Sequence, residues 1–272
     1  MSLNKPIYKL RDWIDLKKLD WSMLSKNPNA IELLEQNTDK INWDLLSKNP
    51  NAIKVLEENR DKINWSMLSA NPNAIKILEE NRDKIDWASL SANPNAIHLL
   101  ESNPDKINWL CLVLNPNAIH LIKANLDKIN WNLLSLNPGA IKVLEDNRDK
   151  IYWKYLSTNS NAIHLLEENP DKISWCYLSE NHNAIKLIEK HRDKISYYLL
   201  SENPNAIKIL EEDQDKISWK IISSNPSIFE LDYEAMKRNN EEMYEELIKE
   251  VMKPSRVFKN PDYDYIEELF GD

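Results

Sequence analysis

A period of 22 residues governs this chain. The unit Ile41-Asn42-Trp43-Asp44-Leu45-Leu46-Ser47-Lys48-Asn49-Pro50-Asn51-Ala52-Ile53-Lys54-Val55-Leu56-Glu57-Glu58-Asn59-Arg60-Asp61-Lys62 recurs from Ile63, Ile85, Ile107, Ile129, Ile151, Ile173, Ile195 and Ile217, and one copy precedes it from Leu19. Ten copies of this length mean stacked units, because no single unit can bury its own apolar face. Positions are given below as slots, with Ile41 in slot 1 and Lys62 in slot 22 of the second copy.

Caps divide each unit into two short helices. Slot 2 holds Asp20, Asn42, Asn64, Asp86, Asn108, Asn130, Ser174, Ser196 and Ser218, all good N-caps, with Tyr152 as the exception. Ile41 and Leu46 flank that cap at the spacing of a hydrophobic staple. A first helix is expected from Trp43 to about Lys48, ending where Asn49 precedes Pro50. Asparagine followed by proline then starts a second helix. Asn fills slot 9 in all ten copies, from Asn27 to Asn225. Ala52, Ile53, Val55 and Leu56 give that helix an apolar face, and Lys54, Glu57 and Glu58 a polar one. The Asn59 slot reads as extended or turn-forming, since proline follows it at Asn103 and Asn169. Helices this short are marginal alone, so the copies must pack on one another. Slot 3 is Trp in every copy but one, where Tyr197 stands, and is expected to fill the joints between copies.

The expectation is an all-α protein: an elongated right- or left-handed α-solenoid of ten short two-helix repeats with terminal helical caps. At the ~9–10 Å spacing of packed helices such a rod is ~80–100 Å long. Residues 1–18 do not fit the period and are assigned to an N-terminal cap. Residues 19–231 form the array. Residues 232–272 form a C-terminal cap and acidic tail, with one helical pattern from Asp232 to about Met252, or two broken near Asn239-Asn240.

Glycine is nearly absent, with two residues, which leaves no phosphate-cradling loop. The formal net charge is −9; an acid-rich stretch beyond Glu241 carries most of it, so the array is nearly balanced and a poor general magnet for nucleic acid. Cys111 and Cys176 lie three copies apart, beyond disulfide reach, and free thiols fit a reducing compartment. No apolar leader opens the chain and no run is long enough to span a membrane. A non-secreted protein without membrane association is expected.

The unit INWxLLSxNPNAIxLLExNxDK, with Trp, Ser, Asn-Pro-Asn-Ala-Ile and Asp-Lys in register, resembles a family of tryptophan-containing repeat proteins of giant nucleocytoplasmic DNA viruses of amoebae. The ending resembles that family too, at Phe229-Glu230-Leu231-Asp232-Tyr233-Glu234-Ala235, Glu245-Glu246-Leu247 and Pro254-Ser255-Arg256-Val257. The resemblance covers the chain beyond residue 18. It implies a viral origin and a place in the host cytoplasm or the virion, and it brings no activity or catalytic residue.

A residue identical in every copy serves the copy; a partner is recognised where copies differ. The Asp-Lys pair in slots 21 and 22 is therefore read as turn chemistry, with the lysine stem covering apolar surface. Slots 4 and 8 vary, and Leu110, Leu114 and Leu136, extended by Tyr155, Tyr177 and Tyr198, are the candidate partner-binding patch. The alternative is packing of these side chains between copies. A second candidate is the basic row in slot 14: Lys54, Lys76, His98, His120, Lys142, His164, Lys186 and Lys208. One base per repeat is a known mode of single-stranded RNA reading. Glutamates beside the row and the lack of alternating aromatics favour a solvated charge face instead. No ligand set surrounds His98 and His120, and no nucleophile, paired-carboxylate or P-loop pattern occurs, so no metal, cofactor or enzymatic activity is expected. The reading is a non-enzymatic scaffold for an unidentified protein partner, with a single-stranded RNA reader or a self-assembling structural protein as alternatives.

Overall fold

The computed structural model describes residues 6–251. The chain divides into two compact units, Leu10–Phe229 and a second one made by the segments flanking it. The acidic, aromatic segment 253–272, assigned above to the C-terminal tail, lies outside the described residues.

Within the array each copy repeats one local plan. In the second copy an α-helix spans Trp43–Ser47, a 3-10 turn spans Pro50–Ala52, a second α-helix spans Ile53–Glu58, and a 3-10 turn spans Arg60–Lys62. The Asn42 carboxamide oxygen accepts from the Leu45 N–H at 3.1 Å, closing the first helix start. Proline at slot 10 opens a 3-10 turn rather than the α-helix itself, which begins three residues later at Ile53. Tyr152 makes no cap bond, as its chemistry requires; nor do Ser174 and Ser218, whereas the Ser196 hydroxyl accepts from the Leu199 N–H at 3.4 Å. Asn59 sits at φ −132°, and none of the described residues has positive φ, so the copies turn without left-handed backbone.

The core is one continuous layer. Leu46, Ala52 and Leu56 are fully buried, and so are their equivalents in the other copies through the ninth. Burying a leucine contributes roughly 1.5–3 kcal/mol. Alanine at slot 12 lets adjacent copies approach closely enough for backbone polar groups to be reached across the joint.

Three kinds of hydrogen bond cross the joints. The slot-9 asparagine donates its side-chain amide to two carbonyls of the preceding copy: Asn49 to Ser25 and Asn27 at 3.0 and 2.9 Å. The slot-7 hydroxyl accepts the next copy's slot-2 N–H, as Ser25 does from Asn42 at 2.9 Å. The slot-11 asparagine donates to the preceding slot-10 carbonyl, as Asn51 does to Pro28 at 2.9 Å. Backbone groups that short helices leave orphaned are thus satisfied by the neighbouring copy.

The same three bonds join the last copy to the first. Asn27 donates to the carbonyls of Ser223 and Asn225 at 3.0 and 2.8 Å, Asp20 N–H to the Ser223 hydroxyl at 2.9 Å, and Asn29 to the Pro226 carbonyl at 3.0 Å. The array is therefore a closed ring of ten copies. The all-α repeat solenoid is as expected; the elongated, ~80–100 Å course is not, because each copy turns enough for the tenth to meet the first.

Closure also reassigns residues 10–18. Phe229 leaves the repeat plan, and the chain's start supplies what the tenth copy lacks. Arg11 N–H and Nε donate to the Ile228 and Ser227 carbonyls at 3.0 and 2.8 Å. Leu16–Lys18 forms the same 3-10 turn as Thr38–Lys40, and Ile14 and Leu19 are buried. This segment completes a repeat rather than covering an open end.

In the second unit, β1 (Tyr8–Leu10) pairs with β2 (Phe229–Leu231). The Asp232 N–H donates to the Ile7 carbonyl at 2.9 Å, and the Asp232 carboxylate caps one uninterrupted helix, Tyr233–Val251, by accepting from the Ala235 N–H.

Candidate functional site

The first helices of copies one to five pack directly on one another. With slots 6 and 7 buried, the face they leave open carries slots 4, 5 and 8. That face is concave. Thr158, Glu180 and Glu202, the slot-8 residues of three successive copies, line a single cavity of ≈ 320 Å³ together with His182 and Asn203. Lys26 Nζ also reaches Glu202 Oε1 at 2.6 Å across the short Ser224, bridging the seam. By contrast the slot-14 side chain of Lys54 is 82% exposed, as on a convex outer surface. Slots 4, 5 and 8 thus form the inner wall of the ring.

All six candidate partner-binding residues fall on this wall. Leu110 and Tyr198 are the most open, at 57% and 59% exposed, and Leu114 is exposed one helical turn beyond Leu110. Leu136, Tyr155 and Tyr177 are half-buried. Tyr155 and Tyr177 lie 6.1 Å apart between ring centroids, and Tyr152, noted from sequence only as a failed cap, meets the edge of Tyr155 at 4.8 Å. Lys154 Nζ stands 4.8 Å from the Tyr177 centroid. Tyr152 is the wall residue that sequence reasoning missed. Its signal was there: an aromatic in a slot otherwise given to caps.

Slot 8 changes character around the wall, from Lys26 and Lys48 through Ala70, Ala92, Leu114 and Leu136 to Thr158, Glu180, Glu202 and Ser224. Partial burial and, next, the neighbouring Glu202 hold the Glu180 carboxyl above the usual carboxylate range, with Lys26 opposing. The wall therefore offers a basic end, an apolar middle and an acidic end.

Slot 22 shows what the invariant lysines do. Lys62 Nζ lies 4.4 Å from the Trp43 ring centroid, and the same pairing recurs around the array, including Lys216 on Tyr197 at 4.8 Å. At the seam Lys18 covers Trp219 at 4.7 Å, which confirms its place in the tenth copy. Each slot-3 tryptophan is half-buried under a cation rather than enclosed.

The basic row behaves differently. His98, His120 and His164 each place Nε2 within 3.0 Å of a glutamate of the preceding copy: Glu79, Glu101 and Glu145. Lys54 approaches Glu58 at 4.0 Å, and Lys76, Lys142, Lys186 and Lys208 are exposed on the same outer face. The row is interleaved with carboxylates and does not converge on a pocket. Cys111 and Cys176 are free, and burial pushes the Cys111 thiol up. Among the described residues no cluster of His, Cys, Asp and Glu has metal-binding geometry, and no helix is long and apolar enough to cross a membrane.

No family model matches the chain, and no curated protein or solved structure is detectably similar to it.

Proposed function

We propose that this protein is a non-catalytic ring scaffold that holds an extended segment of a protein partner against its inner wall. The observation that carries this reading is placement: the apolar and aromatic residues that differ between copies share one concave face, where solenoids present long binding surfaces. Exposed aromatic and aliphatic side chains there supply contact area. The outer row of slot 14 is a weaker candidate, since its histidines already face carboxylates. The repeat unit's resemblance to giant-virus proteins makes an infected host cell the natural place to seek the partner.

The test is capture by the tagged full chain from such a lysate, with and without nuclease, compared with a Leu110→Ser, Leu114→Ser, Leu136→Ser variant. A nuclease-resistant partner lost in the variant supports the scaffold. A nuclease-sensitive ribonucleoprotein set retained by the variant replaces it with RNA reading by the basic row. Concentration-dependent sedimentation with no captured partner replaces it with self-assembly.

A further inference from the structure

The inner-wall cavity of copies seven to nine has spent most of its own hydrogen-bond donors. Both Asn203 amide hydrogens go to the Ser179 and Asn181 carbonyls at 2.9 and 3.1 Å, and its oxygen accepts from the Asn205 N–H at 3.0 Å. The Thr158 hydroxyl gives its one hydrogen to the Tyr155 carbonyl at 2.9 Å, leaving only lone pairs to offer. Burial pulls the His182 imidazole below its ordinary value, with Glu202 opposing, so at neutral pH the ring carries a lone pair beside its single N–H. Lys26 makes its ion pair with Glu202, at 2.6 Å, and among the described residues the Glu180 carboxylate has no hydrogen-bond or ion-pair partner.

A ligand entering the cavity thus meets two carboxylates, one of them already paired with a lysine, and acceptors that outnumber donors. After burial, Glu202 is what holds the Glu180 carboxyl up, and a cation shared between the two removes that repulsion. Aromatic surface borders the same spot. Tyr198, 59% exposed, lies one helical turn before Glu202. Lys154 already covers Tyr177 at 4.8 Å, so Tyr198 is the ring left open. The volume of ≈ 320 Å³ is far above the about 30 Å³ of one water and admits a side-chain head group.

Of the two common cationic side chains, the inventory favours arginine. An ammonium is a point charge, and the chain's own, Lys26, engages Glu202 while leaving Glu180 open. A guanidinium carries five N–H donors and no acceptor in a planar fork, which can bridge two carboxylates and stack on an aromatic face. We propose that this cavity receives an arginine side chain of the partner segment, its guanidinium between Glu180 and Glu202 and its stem along Tyr198. His182 and Thr158 supply the remaining acceptors. The site rests on the reading of the inner wall as the binding face and adds the partner's chemistry. That chemistry is an arginine next to apolar residues, since Leu136 and Leu114 precede Thr158 in the same slot.

Titration of the isotope-labelled full chain with N-acetyl-arginine methylamide, followed by amide NMR shifts, tests it. Saturable shifts are expected at Thr158, Glu180, His182 and Glu202. The citrulline analogue, uncharged and of the same shape, should produce none, and the lysine analogue should bind more weakly. Glu180→Gln keeps the side chain's shape, and unmoved amides elsewhere verify its fold; it should weaken the arginine probe about tenfold, the worth of a charged hydrogen bond. Glu211→Gln, at an exposed glutamate of copy nine, should leave binding unchanged. Shifts spread over the acidic surface, an equal response to citrulline or lysine, or an unaltered affinity in Glu180→Gln overturns the arginine site. A captured partner lost in the triple leucine variant, with no probe shifts in the cavity, overturns this site alone. Probe binding in the cavity with a partner indifferent to the leucine changes leaves the arginine site standing and overturns the leucine wall.

Discussion

Asn27 donates its side-chain amide to the carbonyl of Asn225, 198 residues later in the chain, at 2.8 Å. Every other slot-9 asparagine makes the same bond to the copy 22 residues before it, as Asn71 does to Asn49 at 2.9 Å. One buried asparagine per copy therefore sets the stacking, and the same chemistry closes the ring.

Asn115 is fully buried and bonds the Ser91 and Asn93 carbonyls at 3.1 and 2.7 Å while accepting from the Asn117 N–H. Asn115→Ala leaves buried polar groups unpaired and is expected to cost roughly 2–4 kcal/mol in urea unfolding. Asn115→Asp keeps the shape but replaces a donor by an acceptor, so it should be at least as damaging at neutral pH. A loss below ~0.5 kcal/mol in both would show that the asparagine bonds do not hold the joint.

Lys128 Nζ lies 4.8 Å from the Trp109 ring centroid. Trp109 is half-buried, so Trp109→Ala should cost ~2–4 kcal/mol, at the lower side of a fully buried aromatic truncation. A double-mutant cycle with Lys128→Met should return a coupling of ~0.5–1 kcal/mol. Strict additivity would mean that the lysine covers the ring without interacting.

In the ninth copy two exceptions occur together. Tyr197 replaces tryptophan and Asp213 replaces asparagine, and the Tyr197 hydroxyl donates to Asp213 Oδ2 at 2.6 Å. Hydrogen bonds from Lys216 and then Tyr197 hold the Asp213 carboxyl below the usual carboxylate range. Its stabilisation is present above the unfolded aspartate value of about 4 and is lost as pH falls through the lower folded value. Thermal midpoints should separate wild type from Asp213→Asn at pH 7 and converge on acidification. A pH-independent gap would contradict this.

Glu180 has the opposite sign. Burial and Glu202 raise its folded value, so the folded state holds the proton more tightly than the unfolded state. Stability from this group is full below the unfolded glutamate value of about 4.3 and declines as pH rises through the folded one. Glu180→Gln should raise the midpoint at pH 7 and leave it unchanged near pH 3. A loss at pH 7 would mean that the ionised carboxylate is a net stabiliser of the wall.

The repeat, its two helices and its buried leucines and alanines were legible because caps, proline and apolar spacing act within a few residues. Other parts depend on the neighbouring copy. Slot-9 asparagine reads as an N-cap, which it is, but nothing local says that its amide crosses the joint. The slot-7 serines gave no signal, since a hydroxyl in a helix has many partners. Closure was hidden for a geometric reason: a period fixes the unit, whereas curvature comes from small differences between inner and outer packing that accumulate over ten copies. One clue was present. Lys18-Leu19-Asp20-Trp21 keeps the register of Lys40-Ile41-Asn42-Trp43, so the repeat plan reaches back before residue 19 and into the half copy that Phe229 abandons. The wall residues could be chosen from their variability, but their gathering on one concave face required the ring.

Closure itself is most directly tested by two distances. Spin labels at Glu32 and Lys208, and separately at Glu32 and Lys142, all exposed in the same slot, are placed in a Cys111→Ser, Cys176→Ser background and measured by pulsed electron resonance. In a ring the ninth copy is two joints from the first and the sixth is five, so the Glu32–Lys208 distance must be the shorter. In an open rod the order reverses, and a Glu32–Lys208 distance longer than Glu32–Lys142 would contradict the closed ring.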